Sequence, residues 1–134
     1  MEKQTYSYEE AFAKSLEYFN GDELAARVWV NKYAVKDSFG NIYEQSPEDM
    51  HWRLANEVAR IEAKYKNGLS AQQLFELFDH FKYIVPQGSP MTGIGNDFQV
   101  ASLSNCFVIG MDGEADSYGA IIRIDEEQVQ LMKR

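Results

Sequence analysis

The chain has 134 residues, of which 45% are hydrophobic and 25% charged, and its formal net charge is -8. That length supports one hydrophobic core, and that composition is ordinary for a globular protein. The acidic balance excludes a protein that coats DNA or RNA through clustered Lys and Arg, although backbone N–H groups can still hold a small anion.

The first residues, Met1-Glu2-Lys3-Gln4-Thr5, contain no signal-type apolar region, and no later apolar run is long enough to cross a bilayer. A cytoplasmic protein with no membrane partner and no nucleic-acid partner is therefore expected. Ser7-Tyr8-Glu9-Glu10 has the form of a capping box, and the helix it opens carries Ala11, Phe12, Leu16 and Phe19 at helical spacing. Asn20-Gly21 ends that helix. Asp22 caps a second helix from Glu23 to about Ala34, where Leu24, Val28, Trp29, Val30 and Tyr33 predict packing on more than one neighbour. A turn cluster at 36–41 leads to Ile42-Tyr43, a brief extended piece.

Ser46-Pro47-Glu48-Asp49 combines an N-cap serine, proline in the first helical position and acids in the first turn. The helix it starts runs to about Tyr65, with Met50, Leu54, Val58 and Ile61 as an amphipathic stripe. Asn67-Gly68 stops it. Ser70-Ala71-Gln72-Gln73 is a second capping box for a helix through about Phe81, with Leu74, Phe75, Leu77 and Phe78 facing the core. Beyond Phe81 the pattern changes. Tyr83-Ile84-Val85 is extended ahead of Pro86, and 86–96 is a loop rich in Gly and Pro. Phe98-Gln99-Val100 reads as a short strand or turn. Residues 102–109 read as a strand with Leu103, Phe107, Val108 and Ile109 as its apolar members. An acidic loop from Met111 to Glu114 follows. Asp116-Ser117 caps a helical turn holding Tyr118, Ile121 and Ile122, and Asp125 opens a last helix.

The chemistry-bearing residues are few. The one cysteine, Cys106, excludes an internal disulfide and an all-cysteine metal cluster, and His51 and His80 are too far apart in sequence for a good zinc site, so no metal is expected. On residue chemistry alone, Cys106 is a small hydrophobe buried in an apolar strand, and both histidines are structural or exposed. Gly88-Ser89-Pro90 and Thr92-Gly93-Ile94-Gly95-Asn96 offer close backbone approach and hydroxyls, the equipment for a phosphate. They match neither a P-loop nor a dinucleotide fingerprint, so on residue chemistry alone a surface turn is the favoured reading over a binding loop. Asp112, Glu114, Asp116, Asp125, Glu126 and Glu127 lack calcium-loop spacing and read as a solvated acidic face.

These residues also carry a resemblance. Val85-Pro86-Gln87-Gly88-Ser89-Pro90-Met91, Ser102-Leu103-Ser104-Asn105-Cys106-Phe107-Val108-Ile109, Asp116-Ser117-Tyr118 and Gln128-Val129-Gln130-Leu131-Met132-Lys133-Arg134 resemble the start of the catalytic (large) subunit of ribonucleotide reductase. Residues 15–26 resemble the N-terminal helical region of the same proteins, and the adenosylcobalamin-dependent class is the version most resembled. The resemblance implies a mainly α chain: a helical N-terminal region over 1–82, then over 83–134 the first strand and flanking segments of a ten-stranded α/β barrel whose remainder is absent. It implies that Cys106 is a redox cysteine that reduces the ribonucleotide in concert with a second cysteine on a later strand. It implies that Ser89 lies beside the substrate phosphates, that Ser104 and Asn105 line the substrate, and that Asp116 and Ser117 begin the deoxynucleotide effector site at a dimer interface. The implied cofactor of the complete enzyme is adenosylcobalamin, with none bound by this chain alone. The implied partner is the remaining barrel portion, because the second cysteine, the radical cysteine and the rest of the barrel are not in this sequence. The chain then reads as a shortened protein, a naturally split subunit or a fragment that assembles with the remainder, inactive by itself. Two other readings stand beside it: a non-catalytic helical module that binds a partner through apolar residues between Val100 and Ile122, and a free-standing thiol enzyme.

Overall fold

Ser7 does what its capping box predicts. Its hydroxyl accepts the Glu10 N–H at 3.2 Å, and the Glu10 carboxylate accepts the Ser7 N–H at 2.8 Å. In this computed structural model, which describes residues 4–110, 113 and 115–133, that cap opens α1 (Tyr8–Tyr18). Asn20 and Gly21 both take positive φ, which reverses the chain into α2 (Glu23–Lys32), whose first turn is capped by Asp22. The two helices pack through Ala11 and Ser15 of α1 and Ala26, Trp29 and Val30 of α2, all buried. The broad apolar surface expected of α2 is narrower than predicted. Leu24 is 72% exposed and Val28 42% exposed, because only the face carrying Ala26, Trp29 and Val30 meets the core.

Asp37 organises the next turn by accepting the N–H groups of Phe39 and Asn41. Ile42 then makes isolated bridges to Tyr6 and Lys36, the brief extended piece that was expected. In α3 (Pro47–Glu62), Met50, His51, Leu54 and Ala55 are buried, while the stripe leaves the core at Ile61. Its Ser46 N-cap makes no side-chain hydrogen bond; the Asp49 carboxylate instead takes the Gln45 N–H at 2.7 Å. Helix α4 (Ala71–Phe78) starts from the Ser70–Gln73 capping box and lies on α3, with Phe75 stacked on Trp52 at 4.2 Å between centroids. Trp29, Met50, Leu54, Leu74 and Phe78 form the centre of the core, and Trp29 Nε1 meets Met50 Sδ at 3.4 Å.

The C-terminal half departs from the sequence expectation in four places. Helix α4 ends at Phe78, not Phe81, and a three-residue 3₁₀ turn (Asp79–Phe81) follows with His80 and Phe81 at positive φ. The predicted loop contains a short helix, α5 (Gly88–Gly93). Tyr83-Ile84-Val85, in line with the expectation, is non-helical, and the N–H groups of Tyr83 and Ile84 donate to the Leu77 carbonyl. Residues 102–109 form no strand among the described residues and are mostly exposed. A strand needs a neighbouring strand for its alternate N–H and C=O groups, and among the described residues only the helices α5 and α6 adjoin this segment. Finally, the helical turn at Asp116-Ser117 and the helix at Asp125 are one element, α6 (Tyr118–Met132), capped by Ser117 at 3.2 Å from the Ala120 N–H. No Gly or Pro interrupts the chain from Ala120 to Met132, so nothing stops the first turn from propagating. None of its residues is buried. The Met111, Asp112 and Glu114 of the acidic loop lie outside the described residues. None of the described helices is long and apolar enough to cross a membrane.

Candidate functional site

A six-residue helix such as α5 does not sustain itself, because nucleation costs more than its few hydrogen bonds return. Two anchors hold it. Met91 is buried in the core, with Ile94 packed beside it. Arg53 on α3 reaches across, donating from Nη2 to the Met91 carbonyl at 2.7 Å and from Nη1 to the Ile94 carbonyl. These are carbonyls that the end of a helix leaves without an internal partner. Arg53 Nε donates to Glu44 Oε1 at 2.6 Å, and Glu44 Oε2 accepts the Val35 N–H at 2.9 Å. Burial pushes the Glu44 carboxyl up, opposed by the hydrogen bond and charge of Arg53. This buried pair was missed from sequence. Its signal was faint: Arg53 lies three residues after Met50 and one before Leu54, on the flank of the apolar stripe.

Helix α5 presents Ser89 and Thr92 to a cleft of about 530 Å³. Ser102, Ser104, Asn105, Phe107 and Ile109 line it from the irregular segment, and Gln128, Leu131 and Met132 of α6 complete it. The three residues expected at a substrate, Ser89, Ser104 and Asn105, therefore meet at one cleft. Ser89 Oγ donates to Asn105 Oδ1, and Asn105 Nδ2 donates to Gln87 Oε1 at 3.1 Å. Gly93 allows the close approach behind this contact: a Cβ there would sit 3.0 Å from Leu103 Cδ2. Thr92 Oγ1 is turned inward and donates to the Gly88 carbonyl at 3.1 Å.

Cys106 is exposed, which overturns the buried-hydrophobe reading. It lies between two cleft-lining residues but does not line the cleft itself. Ser104, Asn105, Phe107 and Ile109 take the cleft side of the segment. Asp116 and Ser117 are not brought to this site. Ser117 is the cap of α6, Asp116 is exposed, and the cleft residue Gln128 is roughly 16 Å further along the helix axis. Among the described residues there is no cluster of three or more His, Cys, Asp or Glu side chains suited to a metal.

Neither histidine lines the cleft. His51 is fully buried, stacked on Phe78 and edge-on to Phe81 at 4.7 Å. His80 is exposed and pairs with Asp79 at 2.9 Å. The Tyr18 hydroxyl links the two: it lies 3.2 Å from His51 Nδ1, donates to Asp79 Oδ1 at 3.2 Å and accepts the His80 N–H at 2.6 Å. The hydroxyl has one proton. Given to Asp79, it leaves His51 Nδ1 to donate, so Nε2 is a bare lone pair with no hydrogen-bond partner. Burial pushes the Tyr18 phenol up and the His51 imidazole down to about 4.

Residues 19–92, more than half of the chain, match the family model described as ribonucleotide reductase, all-alpha domain. The matched stretch takes in α2, α3, α4 and most of α5, including Ser89. No curated protein and no solved structure matches the chain.

Proposed function

We propose, for a chain that belongs to the ribonucleotide reductase all-alpha domain family, that its C-terminal part contributes one side of a ribonucleotide pocket and one redox thiol to a reductase. Ser89 serves the phosphate end, Ser104 and Asn105 line the substrate, and Cys106 is one member of the reducing pair. The observation that carries this reading is the meeting of Ser89 and Asn105, 16 residues apart, on one cleft together with Ser104. In ribonucleotide reduction two thiols become a disulfide, a C–OH bond of the ribose becomes C–H, and water leaves. The thiol pair supplies two electrons and two protons. Cys106 is the sole cysteine of this sequence, so the second thiol comes from the barrel portion, the partner this reading requires. Pairing of residues 102–109 with a neighbouring barrel strand would also satisfy their backbone groups.

Asp116 and Ser117, at the start of α6, are assigned to the deoxynucleotide effector and the dimer contact of the assembled enzyme. Adenosylcobalamin is the radical source in the class most resembled. The cleft lining contains no histidine, His51 is enclosed by aromatic rings and His80 is held by Asp79, so neither imidazole is offered to that group. No step is therefore assigned to it here.

Complementation tests the reading. The full chain is mixed with the separately produced barrel portion, and deoxyribonucleotide formation is followed. Cys106→Ser should abolish turnover, and Ser89→Ala should raise KM for the nucleotide. Wild-type turnover with Cys106→Ser would sink the assignment. A second reading has its own observation: Val100 is 83% exposed, and Val108, Ile121 and Ile122 are exposed as well. Such a surface suits a non-catalytic module that binds a partner chain. That reading gains if the chain and the barrel portion co-sediment while Cys106→Ser changes nothing.

A further inference from the structure

We infer that Arg53 is a positioning residue for the cleft: it fixes α5, and through α5 the Ser89 hydroxyl, relative to Asn105. This rests on the reading of the cleft as a nucleotide pocket and adds the part of the helical core that holds it in register. Four observations converge. The Arg53 side chain is only 13% exposed and is paired with Glu44. Its Nη2 and Nη1 also donate to the carbonyls of Met91 and Ile94, 38 and 41 residues away, at the close of the helix that carries Ser89. Glu44 is itself tied to the backbone of Val35, so the clamp is anchored in the packed region at the end of α2. Gly95 passes so close to the arginine stem that a Cβ there would lie 2.8 Å from Arg53 Cγ.

The chemistry favours arginine in particular. A planar guanidinium can meet one carboxylate and two diverging carbonyls at once, whereas a lysine ammonium at this depth reaches fewer of them. The interaction sits away from the cleft lining, of which Arg53 is not a member. Its effect on a ligand therefore runs through the placement of Ser89. Loss of the clamp frees α5 to fray, and the Ser89–Asn105 contact is lost with it.

Hydrogen exchange on the full chain tests this first. Arg53→Lys retains a charge beside Glu44 and so preserves the core. Amide exchange over 91–96 should accelerate on the order of tenfold or more, as expected for a lost charge-assisted bond, while α1 and α4 keep their protection. Arg53→Met should accelerate the same amides further. Unchanged exchange over 91–96 in both variants would overturn the inference. So would uniform loss of protection in Arg53→Lys, since the arginine would then be a general core residue. In the complemented enzyme, with cytidine diphosphate and cytidine triphosphate as probes, Arg53→Lys should raise KM on the order of tenfold with kcat held, and a fall in kcat at constant KM would overturn it. If the wild-type mixture reduces neither nucleotide, the nucleotide-pocket reading fails while the exchange data still decide the clamp.

Discussion

Replacing His51 with phenylalanine should change the pH dependence of stability more than stability itself. The imidazole is fully buried among Tyr18, Phe78 and Phe81, and burial lowers it from 6.5 to about 4, with the charges of His80 and Arg53 adding to the effect and Asp79 opposing it. Its folded value lies below its unfolded value, so the folded state favours the neutral ring. The stability this preserves is complete above 6.5 and drains as pH falls toward 4. At pH 4.5 the unfolded histidine is almost fully protonated and the folded one mostly neutral, which costs the wild-type fold about 2.5 kcal/mol relative to pH 7.5. Protonation would also place an N–H on Nε2, which has no partner to receive it. Phenylalanine cannot titrate. Any overpacking it causes, or loss of the Tyr18 contact, is the same at both pH values and cancels. Glu44, pushed up by burial, tilts stability the opposite way above its ordinary value, and it too is common to both proteins. The assay is urea unfolding at pH 7.5 and 4.5, followed through Trp29 and Trp52 fluorescence. The gap between variant and wild type should move by about 2–3 kcal/mol in the variant's favour on acidification. Parallel pH profiles would refute the reasoning.

Three further outcomes follow from the fold. Tyr18→Phe removes the hydroxyl that joins Asp79, the His80 N–H and His51, and should cost about 2–3 kcal/mol by urea unfolding. Ser7→Ala and Ser70→Ala should each cost about 1 kcal/mol, because both serines close capping boxes. Ser46→Ala should cost well under half of that, since its hydroxyl makes no cap bond; equal losses at all three serines would contradict the capping geometry. Gly68→Ala should lower the melting temperature by several degrees, roughly 1–3 kcal/mol, because the added Cβ meets the backbone carbonyl of Glu62 and not a movable side chain.

Helix starts were legible because they depend on a few adjacent residues. Ser7, Asp22 and Ser70 cap as their local sequences imply, and the Met50-Leu54 stripe faces the core. What was misread depends on contacts made elsewhere. The end of α4 is set by Tyr18, 61 residues from Asp79, which supports two successive positive-φ residues that no local rule announces. Leu24 and Val28 show the reverse case: helical spacing identified them as apolar, but only a neighbour could have buried them, and α1 meets a different face of α2.

The cleft divides in the same way. Ser89, Ser104 and Asn105 are implied by the family resemblance, and they share one lining. Arg53 and Glu44 escaped notice because a charged residue beside an apolar stripe ordinarily reaches solvent. Here the glutamate is 5% exposed and holds the guanidinium against α5. The predicted strand at 102–109 has the β-branched and aromatic content of a strand, yet its backbone finds no ladder among the described residues. Propensity of that kind states how a segment would sit on a sheet; it cannot supply the sheet. The same segment places Asn105, Phe107 and Ile109 on the cleft and leaves Cys106 outside that lining. A partner strand that straightened the segment would decide which of these side chains faces a bound nucleotide. Cross-linking from Cys106 in the complemented and free chains would read that change directly: a thiol that reacts freely alone and becomes protected by the barrel portion has acquired a neighbour, whereas equal reactivity in both would leave the cysteine outside the assembled site.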